Sequence, residues 1–261
     1  MRTTGILTFA LGKGYAVCAA HLFRSARMSG TDVCICVPDT DVASQKTLQD
    51  MDVPFVPFKD SGLDKTNKFW FETLAYDLTP FDVTLKMDSD CFIPYGCNLD
   101  RYFERTEKSG VLNGSPTDLE GKPVLSSPYR DWETKNGLPE IYSTMFGFIK
   151  SEDTKKFFEA VKGVYYNWNS IEKTGTWTCT TDTAYSWAWA QTFTSASALS
   201  GLPFHHMKPG TMGWGSNFRE DWTKSIPHSV DPTSRVWVGG RRVSLPIHYV
   251  DKNFIQSAFA T

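Results

Sequence analysis

The stretch DVTLKMDSD, residues 82–90, combines an alternating strand pattern with two carboxylates that stand one residue apart. The apolar residues Val83, Leu85 and Met87 fall on one face of such a strand, because successive side chains of a strand point to opposite faces. The two aspartates follow at the carboxyl end of the strand, where open α/β sheets bind their ligands. The pattern therefore predicts a strand that leads directly into a binding site.

Asp88 and Asp90 have two interpretations. Two carboxylates this close repel each other, and a divalent cation such as Mg²⁺ or Mn²⁺ relieves the repulsion by taking their oxygens as ligands. A cation held in this way also binds a diphosphate, which predicts a metal and diphosphate site around Asp88, Ser89 and Asp90. Alternatively, Asp and Ser cap a turn after a strand. The sequence alone leaves both interpretations open.

Composition limits the classes of protein that the chain can represent. Its 261 residues, 41% of them apolar, suffice for one large α/β domain, and a net charge of −2 argues against a broad basic surface for nucleic acid. No apolar run reaches the roughly 18 residues of a membrane span, so we expect no membrane span and a cytoplasmic location. The six cysteines form no Cys-x-x-Cys pair, which favours reduced, packed thiols over a zinc site or disulfides.

Strand and helix patterns alternate over residues 5–58 in the order β-α-β-α-β. Such alternation predicts a single α/β domain over 1–261, with a central, mostly parallel mixed sheet flanked by helices. Further along, Asp64–Leu78 is predicted to be a helix that ends before Pro80.

The later part of the chain contains further predicted strands, a hairpin and a long loop. Tyr142–Lys150 and Val243–Tyr249 have the composition of strands, and Gly239-Gly240 is a two-residue hairpin signal. Ser115–Pro139 is rich in Pro, Gly, Asp and Ser, which predicts a long loop. Loops of that length often form lids or bind acceptors.

Asp182, His206 and His248 are further candidate site residues. Asp182 starts a predicted helix, where it either caps the helix or faces a ligand while Thr180 or Thr181 provides the cap. His248 ends the last predicted strand, and Mn²⁺ accepts an imidazole beside carboxylates, although a lone strand histidine is often structural. His206 is the competing candidate, and we prefer His248 because it ends a strand.

Taken in chain order, these pieces resemble the GT-A fold glycosyltransferases, in particular the glycogenin-like and galactosyltransferase-like enzymes that use nucleotide-diphosphate sugars. Four places carry the resemblance: Thr8, Gly12, Tyr15, Leu22 and Ser25 in the opening strand, loop and helix; Lys68-Phe69 ahead of Tyr76-Asp77; Asp88-Ser89-Asp90 as Asp-x-Asp; and His248 as a third metal ligand. The resemblance covers most of the chain, and its sharpest motif is Asp-x-Asp.

The resemblance implies roles for individual residues. Asp88, Asp90 and His248 form a site for Mn²⁺ or Mg²⁺, in which Asp90 binds the cation directly and Asp88 contacts the ribose or a bound water. The residues implied in donor binding are Thr8, Phe9, Ala10, Tyr15, Lys68, Asp88, Ser89, Lys208 and Lys252. Residues 1–114 form the nucleotide-sugar-binding half, and residues 115–261 form the acceptor-binding and catalytic half. Asp182 takes the acceptor's proton if the reaction inverts the anomeric carbon, and positions substrate if it retains it.

The implied activity is transfer of a sugar from a nucleotide-diphosphate sugar, expected to be a UDP-sugar, to a hydroxyl group. The acceptor is a glycan, a protein, a small metabolite or a hydroxylated base of phage DNA, and the sequence does not choose among them. Where many relatives have Asn-x-Gly, this chain has YSTMFG at residues 142–147, which leaves the donor sugar open.

A local basic and aromatic surface is a further candidate feature. Such a surface suits DNA, but sugars also stack on tryptophan, so the pattern does not identify the acceptor. Its residues are Arg235, Arg241, Arg242, Trp214, Trp222 and Trp237. Two other functions stay open, namely a nucleotidyltransferase that attacks a phosphorus atom and a carbohydrate-binding protein without turnover.

Overall fold

The computed structural model describes residues 2–60, 70–123, 133, 135–172, 179–193, 201–207 and 222–258. The strands in these ranges are β1 Thr4–Phe9, β2 Val33–Pro38, β3 Val56–Phe58, β4 Val83–Met87, β5 Cys91–Phe92, β6 Val111–Leu112, β7 Gly114–Thr117, β8 Met145–Ile149, β9 Leu202–His206, β10 His228–Val230, β11 Val236–Val238, β12 Arg241–Val243 and β13 Ile247–His248. The α-helices are Lys13–Met28, Val42–Asp50, Ala75–Leu78, Asp100–Ser109, Glu152–Ile171, Thr181–Thr192 and Asn253–Ala258, and the 3₁₀ helices are Trp70–Leu74 and Trp222–Lys224.

The central sheet has the strand order β3-β2-β1-β4-β8-β6. Strands β3, β2, β1 and β4 are parallel, whereas β8 is antiparallel to both of its neighbours, β4 and β6. Helices cover both faces, as the nearly continuous apolar strands require. The predicted fold class, an α/β domain with a mostly parallel mixed sheet, is confirmed.

Strand β4 lies in the middle of this sheet, and every one of its residues is buried. Val83, Leu85 and Met87 pack together on one face, against the helices Lys13–Met28 and Asp100–Ser109, as the alternation predicts. The other face of the central sheet packs against the helices Glu152–Ile171 and Thr181–Thr192 through an aromatic cluster, whose members include Phe146, Phe148, Phe157, Phe158, Tyr185 and Trp189. Strand β4 is thereby fixed rigidly, and so is the site at its end.

A second sheet, β5-β13-β9-β7, begins next to the carboxyl end of β4. Within it β13 pairs antiparallel with β5 and parallel with β9. A third, antiparallel sheet is formed by β10, β11 and β12. Gly239 and Gly240 join β11 to β12 with φ values of 57° and 75°, which confirms the predicted two-residue hairpin.

The prediction of a loop over Ser115–Pro139 is wrong at its start, because Gly114–Thr117 is strand β7. Its composition is poor for a strand, but pairing with β9 imposes the extended conformation. Since β7 is at the edge of its sheet, Pro116 is tolerated there without loss of a ladder hydrogen bond. Residues 124–132 and 134 lie outside the described ranges.

Three other element predictions need correction. In the predicted helix Asp64–Leu78, residues 61–69 lie outside the described ranges, Trp70–Leu74 is a 3₁₀ helix, and only Ala75–Leu78 is α-helical. The predicted strand Val243–Tyr249 is divided between β12 and β13, which belong to different sheets with Pro246 between them. The predicted strand Tyr142–Lys150 is shorter, because pairing with β4 begins at Met145.

All six cysteines are free and buried, in agreement with thiols that pack as small hydrophobes. Within the part of the chain that the structure describes, no helix combines the length and the apolar character needed to cross a bilayer. Sheet pairing crosses the predicted boundary between residues 114 and 115, since β4 pairs with β8. The division into a donor half and an acceptor half stays a prediction.

Candidate functional site

A tight turn carries Asp88 and Asp90 from β4 into β5. The amide of Asp88 donates to the carbonyl of Thr144 at 3.0 Å, and the amide of Cys91 donates back to the carbonyl of Asp88 at 3.1 Å. The amide of Tyr249 donates to the carbonyl of Asp90 at 3.1 Å. These bonds fix the two aspartates at the sheet edge and tie Asp90 to the end of β13.

His248 is brought to the aspartates by the pairing of β13 with β5, in which it lies opposite Cys91. Its Nε2 atom is 3.2 Å from Oδ1 of Asp90. One candidate ligand atom from each of Asp88, Asp90 and His248 lies within 4.8 Å of the other two. The three residues predicted as metal ligands therefore converge on one point.

This donor set fits a divalent cation. Carboxylate oxygens are the ligands of Mg²⁺ and Mn²⁺, and an imidazole beside them suits Mn²⁺ and the later transition metals. The side chains of Asp88, Asp90 and His248 are 28%, 13% and 12% exposed, so the group is mostly buried but still reached by solvent. Ser89, between the aspartates, is buried at 4% exposure.

The side chain of Lys86 forms a buried ion pair with Asp88. Its ammonium is buried and lies 2.7 Å from Oδ1 of Asp88, 2.5 Å from Oε2 of Glu72 and 2.9 Å from the carbonyl of Ser143. A buried charge of this kind is stable only with close partners of opposite charge. The contact engages Oδ1 of Asp88, and the side chain of Thr144 also forms a hydrogen bond with this carboxylate.

The charges around the site shift several pKa values. Burial raises the pKa of Glu72 to about 7, although the ammonium of Lys86 opposes the shift. Burial acts in the same direction on Asp88, but Lys86, His248 and Thr144 together outweigh it and hold the pKa of Asp88 below its ordinary value. Burial alone would lower the pKa of His248, whereas the carboxylates of Asp90, Asp88 and Asp182 together raise it above its ordinary value. The excess of carboxylates favours a bound cation.

Asp182 lies at the start of the helix Thr181–Thr192 but does not cap it. The cap is Thr180, whose hydroxyl accepts from the amide of Thr183 at 3.1 Å. Oδ1 of Asp182 instead accepts from both the amide and the hydroxyl of Ser143, each at 2.7 Å. The negative charge of Asp182 also acts on His248, so it belongs to the electrostatic surroundings of the site.

The residues predicted to bind a donor at β1 are of two kinds. Thr8, Phe9 and Ala10 have buried side chains, so only their backbone groups are suited to contact a ligand. Tyr15 is 41% exposed, and the Nζ atom of Lys252 lies 3.5 Å from its ring centroid. Tyr15 and Lys252 thus form one exposed pair beside the end of β13. Two further residues predicted to bind the donor, Lys68 and Lys208, lie outside the described ranges.

The predicted basic and aromatic surface is wrong at Trp222. This residue is fully buried, and its Nε1 donates to the carbonyl of Tyr249 at 2.8 Å. Arg241 is exposed and forms an ion pair with Glu120 at 3.3 Å. Trp214 lies outside the described ranges. The surface therefore offers less aromatic area for stacking than the sequence suggests.

Three residues around the site, Glu72, Lys86 and Ser143, are not predicted from the sequence. The strand pattern does indicate Lys86, because residues two apart on a strand share a face, and Lys86 therefore lies beside Asp88. No sequence pattern indicates Glu72 or Ser143, since tertiary packing alone brings them to β4.

Comparison with known proteins finds no matching family model and no matching curated protein sequence. Solved structures do match. The galactosyltransferase LgtC, in complex with donor and acceptor sugar analogs, is 14% identical, with 68% of each chain covered and a TM-score of 0.46. The glycosyltransferase GlyE of Streptococcus pneumoniae is 15% identical, with a TM-score of 0.49, and the match covers 95% of this chain but 54% of GlyE. The inositol-1-phosphate CTP transferase of T. maritima is 12% identical, with 73% of this chain and 83% of that chain covered and a TM-score of 0.41.

The chain is thus similar to solved glycosyltransferases, the class that its motifs resemble, and also to a nucleotidyltransferase. At these identities and TM-scores, the function has to be argued from the chemistry of the site.

Proposed function

We propose that the protein is a metal-dependent glycosyltransferase, which moves a sugar from a nucleotide-diphosphate sugar, in the first instance a UDP-sugar, to an acceptor hydroxyl. The observation that carries the proposal is the convergence of Asp88, Asp90 and His248 at the carboxyl edge of the sheet. The buried free thiols support a reducing compartment such as the cytoplasm.

Each ligand has a separate task in this proposal. Asp90 and His248, whose side chains face each other at 3.2 Å, hold the cation. Asp88 has one oxygen engaged by Lys86, and directs the other to the cation or to the ribose of the donor. A bound Mn²⁺ or Mg²⁺ supplies neutralisation of the charge that develops on the departing diphosphate.

Residues around the cation site complete the proposed donor and acceptor contacts. The exposed pair of Tyr15 and Lys252 offers an aromatic face for the base and an ammonium for the diphosphate. Asp182 is held by Ser143, and it either takes the proton of the acceptor hydroxyl or positions the substrate. The class of acceptor stays open.

His248→Ala is expected to weaken Mn²⁺ binding by roughly 10–100-fold, the usual effect of perturbing a metal site. The measurement is the dissociation constant from the electron paramagnetic resonance signal of free Mn²⁺. His228→Ala is the matched control, because the imidazole of His228 bonds to the carbonyl of Ile226 instead of facing the carboxylates. Equal Mn²⁺ affinity in His248→Ala and the parent would remove His248 from the site.

Lys86→Met is expected to lower the free energy of unfolding by about 3–5 kcal/mol, because Glu72 and Asp88 lose the cation that compensates their burial. Denaturant titration measures this change. Lys46→Met is the matched control, since Lys46 pairs with Asp50 on the exposed surface and its loss should cost at most about 1 kcal/mol. A similar, small loss in both variants would contradict the assigned role of Lys86.

The proposal is tested by incubating the protein with a panel of nucleotide sugars and Mn²⁺, with and without a chelator, and identifying the products. Even without an acceptor, slow donor hydrolysis to the nucleoside diphosphate and free sugar is expected, and it should stop with the chelator. A nucleotidyltransferase would instead break a bond to phosphorus, and a carbohydrate-binding protein would bind sugar without any dependence on metal. Either result would overturn the proposal.

A further inference from the structure

The two candidate histidines of the sequence are neighbours in the structure. Strands β9 and β13 are parallel, and their register places His206 directly beside His248. The ring centroids are 4.9 Å apart, with an interplanar angle of 35°. Nδ1 of His206 and Nδ1 of His248 are 2.9 Å apart, which is a hydrogen-bond distance.

We propose that His206 is a positioning residue, which accepts a hydrogen bond from Nδ1–H of His248 and so holds Nε2 of His248 on the side of Asp90, where it is available to bind a cation. This inference rests on the metal site proposed above. The two histidines then have different roles: His248 binds the cation, and His206 fixes the orientation of the ring of His248.

Proton counting supports this assignment. A neutral imidazole has one N–H, and the nitrogen that binds a cation has none. When Nε2 of His248, which lies 3.2 Å from Oδ1 of Asp90, binds the cation, the proton of His248 is on Nδ1 and needs a hydrogen-bond acceptor. Nδ1 of His206, 2.9 Å away, is that acceptor when the proton of His206 is on its own Nε2. Partners of this kind orient the ligating histidines of metal sites.

Packing holds His206, the hydrogen-bond acceptor, in place. His206 is 5% exposed, and the ring of Phe204 lies edge-on to it at 5.9 Å. The amide of Met207 donates to the carbonyl of His248 at 2.9 Å, which locks the two strands together next to the rings. The backbone that carries the two rings is therefore held in register.

His205 provides an internal contrast. It neighbours His206 on β9, and a strand directs adjacent side chains to opposite faces. Its Nδ1 lies 2.7 Å from the carbonyl of Asp118, away from the carboxylates of the site. The two consecutive histidines therefore have different roles, and His205 is a matched control for His206.

The test compares Mn²⁺ dissociation constants, measured without donor, for the parent, His206→Leu, His206→Asn and His205→Asn. His206→Leu removes the hydrogen-bond acceptor of His248, and the affinity for Mn²⁺ should fall roughly 10–100-fold. His206→Asn places Oδ1 near the position of Nδ1 and should stay close to the parent, as should His205→Asn. In a His248→Ala background, His206→Leu should have no further effect, because His206 acts through His248.

A measurement on the parent protein tests the inference even if His206→Leu does not fold. In the Mg²⁺-bound parent labelled with ¹⁵N-histidine, His248 should show the tautomer protonated at Nδ1, with the assignment made by loss of its signals in His248→Ala. Protonation at Nε2 would overturn the inference, and so would parent-like affinity in His206→Leu or an equal loss in the His248→Ala background. A parent that does not bind Mn²⁺ would overturn the proposed metal site, and this inference with it.

Discussion

Asp90→Asn is expected to abolish metal-dependent activity while the protein stays folded. The substitution removes one ligand charge but almost no volume, and the backbone bond from Tyr249 to the carbonyl of residue 90 does not involve the side chain. The remaining ligands, Asp88 and His248, then hold the cation too weakly to neutralise a departing diphosphate. Donor hydrolysis with saturating nucleotide sugar and Mn²⁺ measures the effect, beside thermal unfolding as a check of the fold.

Asp50→Asn is the matched control for this experiment. Asp50 ends the helix Val42–Asp50, is exposed and pairs only with Lys46 among the ion pairs of the described residues, so its loss should leave activity unchanged. Activity of Asp90→Asn at the level of Asp50→Asn would show that the Asp-x-Asp stretch caps a turn and does not bind a metal.

Asp182→Asn is expected to lower turnover by 10²–10⁴-fold, the usual size of general-base catalysis, if Asp182 takes the acceptor's proton. The fold should not suffer, because Thr180 caps the helix and an asparagine oxygen still accepts from Ser143. Turnover with an acceptor, donor affinity and thermal unfolding together separate the role in catalysis from a role in structure.

Thr180→Ala provides the complementary control. Loss of an N-cap costs about 1 kcal/mol of stability, without any direct effect on proton transfer. We therefore expect lower stability with normal turnover in Thr180→Ala, and the opposite in Asp182→Asn. Normal turnover in Asp182→Asn would reduce Asp182 to a structural partner of Ser143.

The parts of the site that the sequence predicts are those encoded locally. Alternation along residues 82–90 is enough to predict β4 and to place two carboxylates at its end. The position of His248 at the end of the last predicted strand makes it a candidate ligand, and the structure brings it to Asp90. Local pattern also predicts the hairpin at Gly239-Gly240, whose positive φ values only glycine adopts without strain.

The parts that the sequence does not predict depend on which strands become neighbours. Gly114–Thr117 is a strand only because β9 lies beside it, and nothing in its composition indicates this pairing. The contact of His206 with His248 likewise requires the parallel register of β9 and β13. Glu72 comes from the 3₁₀ helix Trp70–Leu74, which is not part of the sheet, so its ion pair with Lys86 is a product of packing.

The most direct measurement is anomalous X-ray diffraction at the manganese edge from crystals grown with Mn²⁺ and UDP. We predict one strong anomalous peak between Asp90 and His248, with Asp88 beside it and the diphosphate of UDP completing the coordination. A peak elsewhere, or diphosphate density at this site without any metal peak, would contradict the proposed metal-dependent site.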